Sequence, residues 1–314
     1  MRNYESVVII GPTASGKTNK AVALARCLSG EIISGDSRQV YRGMNLGTGK
    51  DLEDYGDVPY HLIDICEAGE KYNLHRYLYD FNTAYKDIRE RGKYPIICGG
   101  PGMYVENAIA GVKTPEVPEN PVLRKDLSSL SLSQLKDLLS SYKTLHNITD
   151  VDTVKRAIRA IEIAEYYKQH PEESESADRN RVKPLNTLVI GIDIPRERRR
   201  ERITERLHSR LEAGMLDEVK ELLKSGIPAE DLIYYGLEYK YLTLCAIGEI
   251  SYDRMVNELE IAIHQFAKRQ MTWFRGMERR GIHIEWLPYN LSYEDFKNEV
   301  IYRLEHHSRN SHTR

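Results

Sequence analysis

Short apolar runs alternate with longer amphipathic stretches along most of the chain. The short runs are rich in isoleucine and valine and end at glycine or polar residues, as buried parallel strands do. They lie at residues 7–10, 31–34, 60–65, 95–98 and 188–192. Helix-length stretches, such as 18–28 and 75–91, separate them. This alternation predicts an α/β fold in which helices flank a parallel sheet on both faces.

The alternation is interrupted after Gly111. Two helix-like stretches, 123–142 and 152–168, follow one another there without a strand between them. The strand pattern then resumes at 188–192. We therefore predict an all-helical insertion domain at residues 113–182, within a core made of residues 1–112 and 183–314.

Composition narrows the class of protein. The 314 residues are 41% hydrophobic, which is too apolar for a disordered chain. No apolar run approaches the roughly 20 residues of a membrane span. A balance of 45 Lys and Arg against 47 Asp and Glu excludes a uniformly basic surface. The four cysteines lie far apart, which argues against a zinc knuckle or a disulfide framework. Since no targeting segment precedes the first apolar run, we expect a cytoplasmic protein without membrane contact.

Residues 11–18, GPTASGKT, fit the pattern G-x-x-x-x-G-K-[ST] between a predicted strand and a predicted helix. In such a P-loop, glycines let backbone N–H groups surround a phosphate, and the helix N-terminus adds partial positive charge. Lys17 supplies a full charge, and the Thr18 hydroxyl can bind Mg²⁺. We therefore predict a diphosphate or nucleotide site formed by Gly11, Pro12, Thr13, Ala14, Ser15, Gly16, Lys17 and Thr18.

A carboxylate follows the second predicted strand, at Asp36 in the segment SGDSRQVY, residues 34–41. Because the carboxyl ends of parallel strands meet at one edge of the sheet, we expect Asp36 in the same crevice as the P-loop. There it could act as a general base or help to hold a metal ion. A lone Asp at a strand end is also a common turn or helix cap.

A basic run begins at Arg196 and is expected to form a helix as far as Lys224. Arg202, Arg206 and Arg210 are spaced by four residues, so in a helix they share one face. Such a face is often simply solvated. Alternatively, some of these arginines could neutralise a departing diphosphate.

A further helical pattern lies near the C-terminus. Apolar residues at helical spacing from Met255 to Phe266 predict a buried face. The next segment, AKRQMTWFR at 267–275, mixes cations with aromatic residues. This mixture suits a nucleic-acid backbone and base stacking, although Trp273 and Phe274 belong to residue types that are more often buried than exposed.

Taken together, these segments resemble one family, the tRNA dimethylallyltransferases (isopentenyltransferases) in their bacterial form. The P-loop is shared with many families, whereas DSRQVYRGM at 36–44 and KRQMTWFR at 268–275 are far more specific. Other matching blocks occur in the same order along nearly the whole chain: HLIDI at 61–65, YPIICGGPGMY at 94–104, DTVKRAIRAIEI at 152–163 and YYGLEYKYL at 234–242.

The resemblance implies a reaction and its participants. A dimethylallyl group would pass from dimethylallyl diphosphate to the exocyclic N6 amine of the adenosine just 3′ of the anticodon, in tRNAs that read codons beginning with U. Lys17, Thr18, Arg206 and Mg²⁺ would stabilise the leaving diphosphate, and ATP binding at the P-loop stays open. Asp36 would accept the proton of the attacking amine. The target base would be flipped out of the anticodon loop, and a monomer is expected.

The resemblance also assigns contacts with tRNA in five parts of the chain. Without it, the cluster at 155–159 would be an ordinary exposed cationic helix face. At one assigned position, where the family usually has Thr or Ser, this chain has Pro101, which lacks both a hydroxyl and an N–H. The assigned residues are Asp36, Ser37, Arg38, Gln39, Pro101, Arg124, Lys155, Arg156, Ala157, Ile158, Arg159, Tyr235, Gly236, Leu237, Glu238, Tyr239 and Lys240.

Three other functions remain open from the sequence. An isopentenyltransferase acting on free adenine nucleotides would not need a long helical insertion. A P-loop small-molecule kinase would use the arginines after Arg196 as a lid and would not need the cluster at 155–159. A non-catalytic RNA-binding paralogue would keep that cluster and tolerate the loss of Asp36.

Overall fold

A computed structural model describes residues 3–100, 102–112, 117–142, 152–172 and 183–306. The chain divides into two compact units. One unit consists of Met1–Ala110 and Pro184–Arg314, and the other consists of Gly111–Lys183. We call them the core unit and the helical unit.

A six-stranded sheet runs through the core unit. Its strands are β1 (Ser6–Ile10), β2 (Gly30–Ser34), β3 (Tyr60–His61), β4 (Tyr94–Gly99), β5 (Thr187–Asp193) and β6 (Glu285–Pro288). Their spatial order is β3-β2-β4-β1-β5-β6, and every neighbouring pair is parallel. The predicted parallel sheet is confirmed, and the carboxyl ends of its strands meet at one edge.

Helices cover both faces of this sheet. In the core unit they are α1 (Lys17–Leu28), α2 (Leu74–Glu90), α3 (Met103–Ile109), α7 (Arg196–Glu212), α8 (Met215–Lys224), α9 (Ala229–Tyr234), α10 (Leu237–Ala246), α11 (Tyr252–Arg279) and α12 (Tyr293–His306). Alternate β1 side chains enter different clusters: Val8 and Ile10 pack in one, and Val7 and Ile9 in the other. Within the described residues, no helix combines the length and apolar composition that crossing a membrane requires.

The predicted helix from Arg196 to Lys224 is two helices. The chain turns at Gly214, whose φ of 97° is open to glycine but strained for other residues. This turn lets α8 begin in a new direction, with Met215 buried in its first turn.

The predicted strand at 60–65 is correct only for its first two residues. Leu62 and Asp64 have φ values of 62° and 55°, which a strand cannot contain. The chain leaves the sheet there, and the amides of Asp64 and Ile65 bond the carbonyls of Gln39 and Val40 instead.

The helical unit consists of α4 (Pro121–Leu127), α5 (Leu132–Ser140) and α6 (Val154–Gln169). The sequence predicted α4 and α5 as one helix. Ser131 separates them because its side chain caps α5 in a capping box with Gln134. The unit has an apolar core of its own, formed by Leu127, Leu135, Leu139, Ala157 and Ile161.

Candidate active site

A cavity of about 710 Å³ opens at the carboxyl edge of the sheet, within the core unit. Its volume falls in the range of small-molecule sites. The P-loop between β1 and α1 forms one wall, and the segments after β2 and β4 form others. The remaining lining comes from α7, α10 and α11. The cavity therefore lies where ligands bind in open α/β sheets.

The P-loop has the backbone shape of an anion site. Ala14 and Gly16 have φ values of 61° and 79°, so successive N–H groups turn toward one side before α1 begins at Lys17. Among the described residues, the buried Ser15 Oγ finds no hydrogen-bond partner. Burial lowers the pKa of Lys17 below its ordinary value, and the positive charges of Arg206 and Arg210 add to this effect. The loop is thus prepared for an anion that pairs with these groups.

Asp36 lines the same cavity as Lys17, as the sequence predicted. Its Oδ1 accepts a hydrogen bond from the Arg38 amide at 2.9 Å, and its own amide donates to Ser34 Oγ at 3.2 Å. One carboxylate oxygen therefore caps a turn, which is the alternative role considered for this residue. The same turn fixes the carboxylate in the cavity.

Three arginines of α7 reach the cavity from one helix face. Arg206 donates to Thr13 Oγ1 of the P-loop, and Arg210 bonds the Asp51 carboxylate at 2.9 Å. A Cβ placed on Gly16 would lie 3.7 Å from Nη2 of Arg202. Burial lowers the pKa of Arg206 to about 10, helped by the neighbouring charge of Arg210. The solvated-face alternative is therefore wrong for these three residues, although it holds for Arg196 and other exposed members of the run.

Several cavity residues were not assigned from the sequence. The Gln270 side chain is buried, and its Oε1 accepts a hydrogen bond from the Thr13 amide at 2.8 Å. Phe266 was predicted to be core, and it does continue the apolar stripe of α11, but it lines the cavity there and is 40% exposed. The only sequence signal for Gln270 was its place in KRQMTWFR, because its partner lies 257 residues away.

Known proteins match this chain along almost its full length. Residues 39–277 match the family model described as IPP transferase, and residues 4–55 match the one described as isopentenyl transferase. The chain belongs to the IPP transferase family. The resemblance drawn from the sequence is thereby confirmed.

Curated relatives and solved structures agree with this assignment. The chain is 58% identical to tRNA dimethylallyltransferase 1 of Parabacteroides distasonis, over 94% of this chain and 96% of the relative. It is also 58% identical to tRNA dimethylallyltransferase 2 of Phocaeicola vulgatus, over 99% and 100% of the two chains. The structure resembles tRNA isopentenylpyrophosphate transferase from Bacillus halodurans, with a TM-score of 0.69, 30% identity, and coverage of 96% and 97%. It also shares the fold of a eukaryotic dimethylallyltransferase, with a TM-score of 0.73 and 23% identity over 95% and 77%.

Most residues assigned to tRNA in the core unit lie around the cavity of this IPP transferase. They are Asp36, Ser37, Arg38, Gln39, Tyr235, Gly236, Leu237, Glu238 and Tyr239. Burial raises the pKa of the Glu238 carboxyl, so this group keeps its proton to higher pH than an exposed one. Lys240 is exposed outside the cavity, 5.1 Å from the ring centroid of Tyr241. Pro101 lies outside the described residues.

The basic residues of the helical unit fall into two groups: some pair with a buried carboxylate inside the unit, and others are exposed on its surface. Arg124 and Arg159 both pair with Glu162, which is buried. Ala157 is also buried, so its side chain faces the unit's own core and not a partner. Lys155 and Arg156 are exposed, and Arg156 pairs with Asp152 at 2.9 Å. In this IPP transferase the exposed pair, rather than the whole cluster, forms a basic surface.

The C-terminal half of α11 carries a second basic surface. The Arg269 guanidinium lies 5.8 Å from the Phe266 ring centroid. Arg280, which directly follows α11, lies 5.6 Å from the ring centroid of Trp273 and also pairs with Glu106. Trp273 is 38% exposed, whereas the neighbouring Phe274 is fully buried. Because Phe266 also lines the cavity, this aromatic and cationic stripe begins at the cavity and continues along the helix.

Proposed function

We propose that this protein transfers a dimethylallyl group from dimethylallyl diphosphate to tRNA. The acceptor is the N6 amine of the adenosine 3′-adjacent to the anticodon, in tRNAs that read codons beginning with U. The observation that carries the proposal is one cavity that joins a P-loop, three arginines and the Asp36 carboxylate. Membership of the IPP transferase family and relatives named tRNA dimethylallyltransferase support it.

The P-loop side of the cavity suits the diphosphate. Its turned N–H groups, the Lys17 ammonium and the Ser15 hydroxyl, which has no partner in the part of the chain that the structure describes, present donors to phosphate oxygens. Arg206 is already held against the loop through Thr13. The pKa values of Lys17 and Arg206 lie below their ordinary values because their charges are buried. A diphosphate supplies the negative charge that these groups lack, so binding relieves an existing electrostatic cost.

The donor set also fits Mg²⁺. Thr18 lines the cavity and offers a hydroxyl, and the carboxylate residues Asp51 and Asp54 line the same cavity. Among the described residues, no cluster of three or more His, Cys, Asp or Glu could hold a metal alone. Mg²⁺ tolerates so few protein ligands because it keeps waters and binds substrate phosphates. When bound, it would help to neutralise the leaving diphosphate.

The chemistry needs a nucleophile opposite the leaving group. The amine nitrogen attacks C1 of the dimethylallyl group while the C–O bond to the diphosphate breaks. Positive charge develops on the allylic carbon and negative charge on the diphosphate, where Lys17 and Arg206 stabilise it. Asp36, held by its turn, orients the amine and accepts its proton.

The acceptor reaches this cavity only as an unstacked base, because the reacting groups lie inside it. Phe266 and Trp273 provide stacking faces, and Arg269 provides a phosphate contact, along the stripe of α11 that begins at the cavity. Lys155 and Arg156 of the helical unit provide further phosphate contacts. One chain supplies every group that the reaction uses, so we propose a monomer that acts on tRNA in the cytoplasm.

The experiment is a transfer assay with Mg²⁺ and labelled dimethylallyl diphosphate. The acceptors are unmodified tRNAs reading U-starting codons and, in parallel, AMP and ATP. We expect label in tRNA as N6-isopentenyladenosine, abolished by Asp36→Ala and retained by the control Asp57→Ala, an exposed surface carboxylate. Such transfer would also show that Pro101 sustains activity. Label in AMP or ATP alone, or tRNA binding without transfer, would contradict the proposal.

A further inference from the structure

One wall of the cavity is a loop without regular secondary structure. Residues 45–49, which we call the wall loop, contribute Gly47, Thr48 and Gly49 to the cavity lining. A loop of this kind depends on contacts behind it to keep one shape. Its far end is anchored independently, because Lys50 donates to the Tyr41 carbonyl at 2.6 Å and pairs with Asp64.

The contacts behind the wall loop converge on Glu218 of α8. Its carboxylate accepts hydrogen bonds from three successive amides: Asn45 at 2.9 Å, Leu46 at 2.8 Å and Gly47 at 3.2 Å. The Tyr239 hydroxyl donates to the same carboxylate. Three successive N–H groups on one side form an anion-binding nest. Here a side chain of the protein occupies the nest, with charge-assisted hydrogen bonds.

The packing around this contact leaves little freedom. A Cβ placed on Gly47 would lie 2.6 Å from Cε2 of Tyr239, whose ring is buried. The wall loop therefore lies directly on the tyrosine that also bonds Glu218. Displacing the carboxylate frees both the amides and the tyrosine.

A hydrogen-bonded chain joins the wall loop to Asp36. Gln39 Nε2 donates to the Gly49 carbonyl at 3.3 Å, and Gln39 Oε1 accepts from Ser34 Oγ at 2.9 Å. Ser34 Oγ in turn accepts the Asp36 amide at 3.2 Å. The Gln39 side chain is thus occupied within the protein, between the wall loop and the turn that holds the carboxylate.

We propose that Glu218 is a positioning residue for the transfer reaction: it fixes the wall loop, which through Gln39 and Ser34 fixes the backbone of Asp36. The proposal rests on the proposed function, because it assigns the positioned group to proton acceptance. Glu218 itself lies behind the loop and does not line the cavity.

Glu218→Gln tests this directly. The amide keeps the size of the side chain but offers one acceptor in place of two and points N–H groups at a backbone that already donates. We expect kcat for tRNA prenylation to fall about 10- to 100-fold, as displacement by about 1 Å does in other sites. The KM for dimethylallyl diphosphate should change less than about threefold, because the P-loop is untouched.

Asp217→Asn is the matched control, since Asp217 precedes Glu218 on α8, is exposed and pairs only with Lys220 among the described residues. It should leave kcat unchanged. A double-mutant cycle with Gln39→Ala tests whether the effect of Glu218 passes through Gln39. In a protein that already carries Gln39→Ala, adding Glu218→Gln should lower kcat by less than about threefold. Tyr239→Phe, which removes only one of the four hydrogen bonds, should give a smaller loss and covers the case in which Glu218→Gln does not fold.

Three results would overturn the proposal: wild-type kcat in a folded Glu218→Gln, reductions that multiply fully in the cycle, or equal losses of kcat and diphosphate affinity. The last would indicate general disruption instead of positioning. The wild type is measured in the same assay. If the proposed function is wrong, neither the wild type nor any variant will transfer the label to tRNA, whereas a failure of the positioning proposal alone leaves transfer by the wild type intact.

Discussion

At the scale of single residues, the cavity is a place where positive charge is held before any ligand arrives. Lys17 and Arg206 lie among other cations, and burial lowers the pKa of both. A charged group whose pKa is lowered in the folded state opposes folding wherever it is protonated. For Arg206 this includes every pH below about 10. The free protein therefore tolerates an electrostatic cost that a diphosphate removes.

Because the buried charge of Arg206 favours binding of a diphosphate but opposes folding, its removal should weaken binding without lowering stability. Arg206→Met should weaken binding of dimethylallyl diphosphate about 10- to 100-fold, the usual effect of losing one charged hydrogen-bonding group. Its melting temperature should not fall, because the substitution removes a buried charge along with the bond to Thr13. Calorimetric titration and thermal unfolding measure the two quantities. Arg198→Met, on an exposed part of α7, is the control; a clear loss of stability with unchanged affinity would refute the prediction.

The residues predicted from sequence are those whose role follows from a local pattern. Lys17 and Asp36 could be placed because each follows a strand, and parallel strands end at one edge. Gln270 and Glu218 could not, since each acts on backbone amides more than 170 residues away along the chain. Hydrogen bonds to a distant main chain leave no periodicity or spacing in the sequence.

At the scale of elements, an ionic cluster near the start of β2 links this strand to β3 and to the residue after the end of α2. The buried Glu31 of β2 accepts hydrogen bonds from Arg91, which follows α2, at 2.8 Å, and contacts His61 Nε2 of β3 at 2.7 Å. The hydrogen bonds from Arg91 lower the pKa of Glu31 to about 2. Since β2 ends at Ser34, just before Asp36, this cluster lies at the other end of the strand from the cavity.

Glu31→Gln should therefore affect stability and not chemistry. A depressed carboxyl pKa contributes stability above its unfolded value, which is lost as pH falls through the folded value near 2. Because the pKa of Glu31 falls from its ordinary value of 4.5 to about 2, the variant should lose about 3 kcal/mol of unfolding free energy at pH 7. Wild-type stability should decline between about pH 4.5 and pH 2, and the variant should lack that component. Urea unfolding across this pH range measures the stability of the wild type and of the variant. A comparable loss of kcat in the folded variant would contradict the prediction that Glu31 affects stability and not chemistry.

The helical unit gives a second prediction for an element. Burial acts to raise the pKa of Glu162, but hydrogen bonds from Arg124, the Asn120 amide and Arg159 keep it below its ordinary value. Arg159→Ala leaves this buried carboxylate with fewer partners, so it should destabilise the unit by about 1–3 kcal/mol. Lys155→Ala with Arg156→Ala should instead keep the melting temperature and raise the KM for tRNA, with a smaller salt dependence. Calorimetry measures the stability of the two variants, and transfer assays at several salt concentrations measure their KM for tRNA. The same change in both quantities for both variants would contradict the prediction.

Elements were predictable where periodicity and length agreed. The five predicted strands all begin where a strand begins in the structure, to within one residue, but the third ends early. It ends because Leu62 and Asp64 adopt positive φ to reach the segment around Val40, a tertiary choice that overrides an apolar pattern. The sixth strand, Glu285–Pro288, was missed because it is short and half-buried at the sheet edge.

At the scale of the whole molecule, the chain leaves and re-enters the core unit at one point. The Leu185 amide donates to the Ile109 carbonyl at 2.9 Å, so the two ends of the helical unit's segment are adjacent in the core. A segment whose ends meet can be exchanged for a short connection without straining its host. The helical unit also has its own apolar core, which shares no residue with the two clusters on the sheet faces.

Replacing residues 112–183 with about four Gly and Ser residues should therefore give a folded protein, since short flexible connections add little closure entropy. It should bind dimethylallyl diphosphate within about threefold of the wild type, because every group assigned to the diphosphate lies in the core unit. Transfer to tRNA should fall by more than about 100-fold at physiological salt, since phosphate contacts supply much of the affinity for nucleic acid. The rate of transfer to tRNA by the full chain carrying Lys155→Ala and Arg156→Ala should lie between the rates of the wild type and of the shortened protein. Wild-type transfer by the shortened protein would show that the core unit alone recognises tRNA, and loss of diphosphate binding would show that the unit also maintains the cavity.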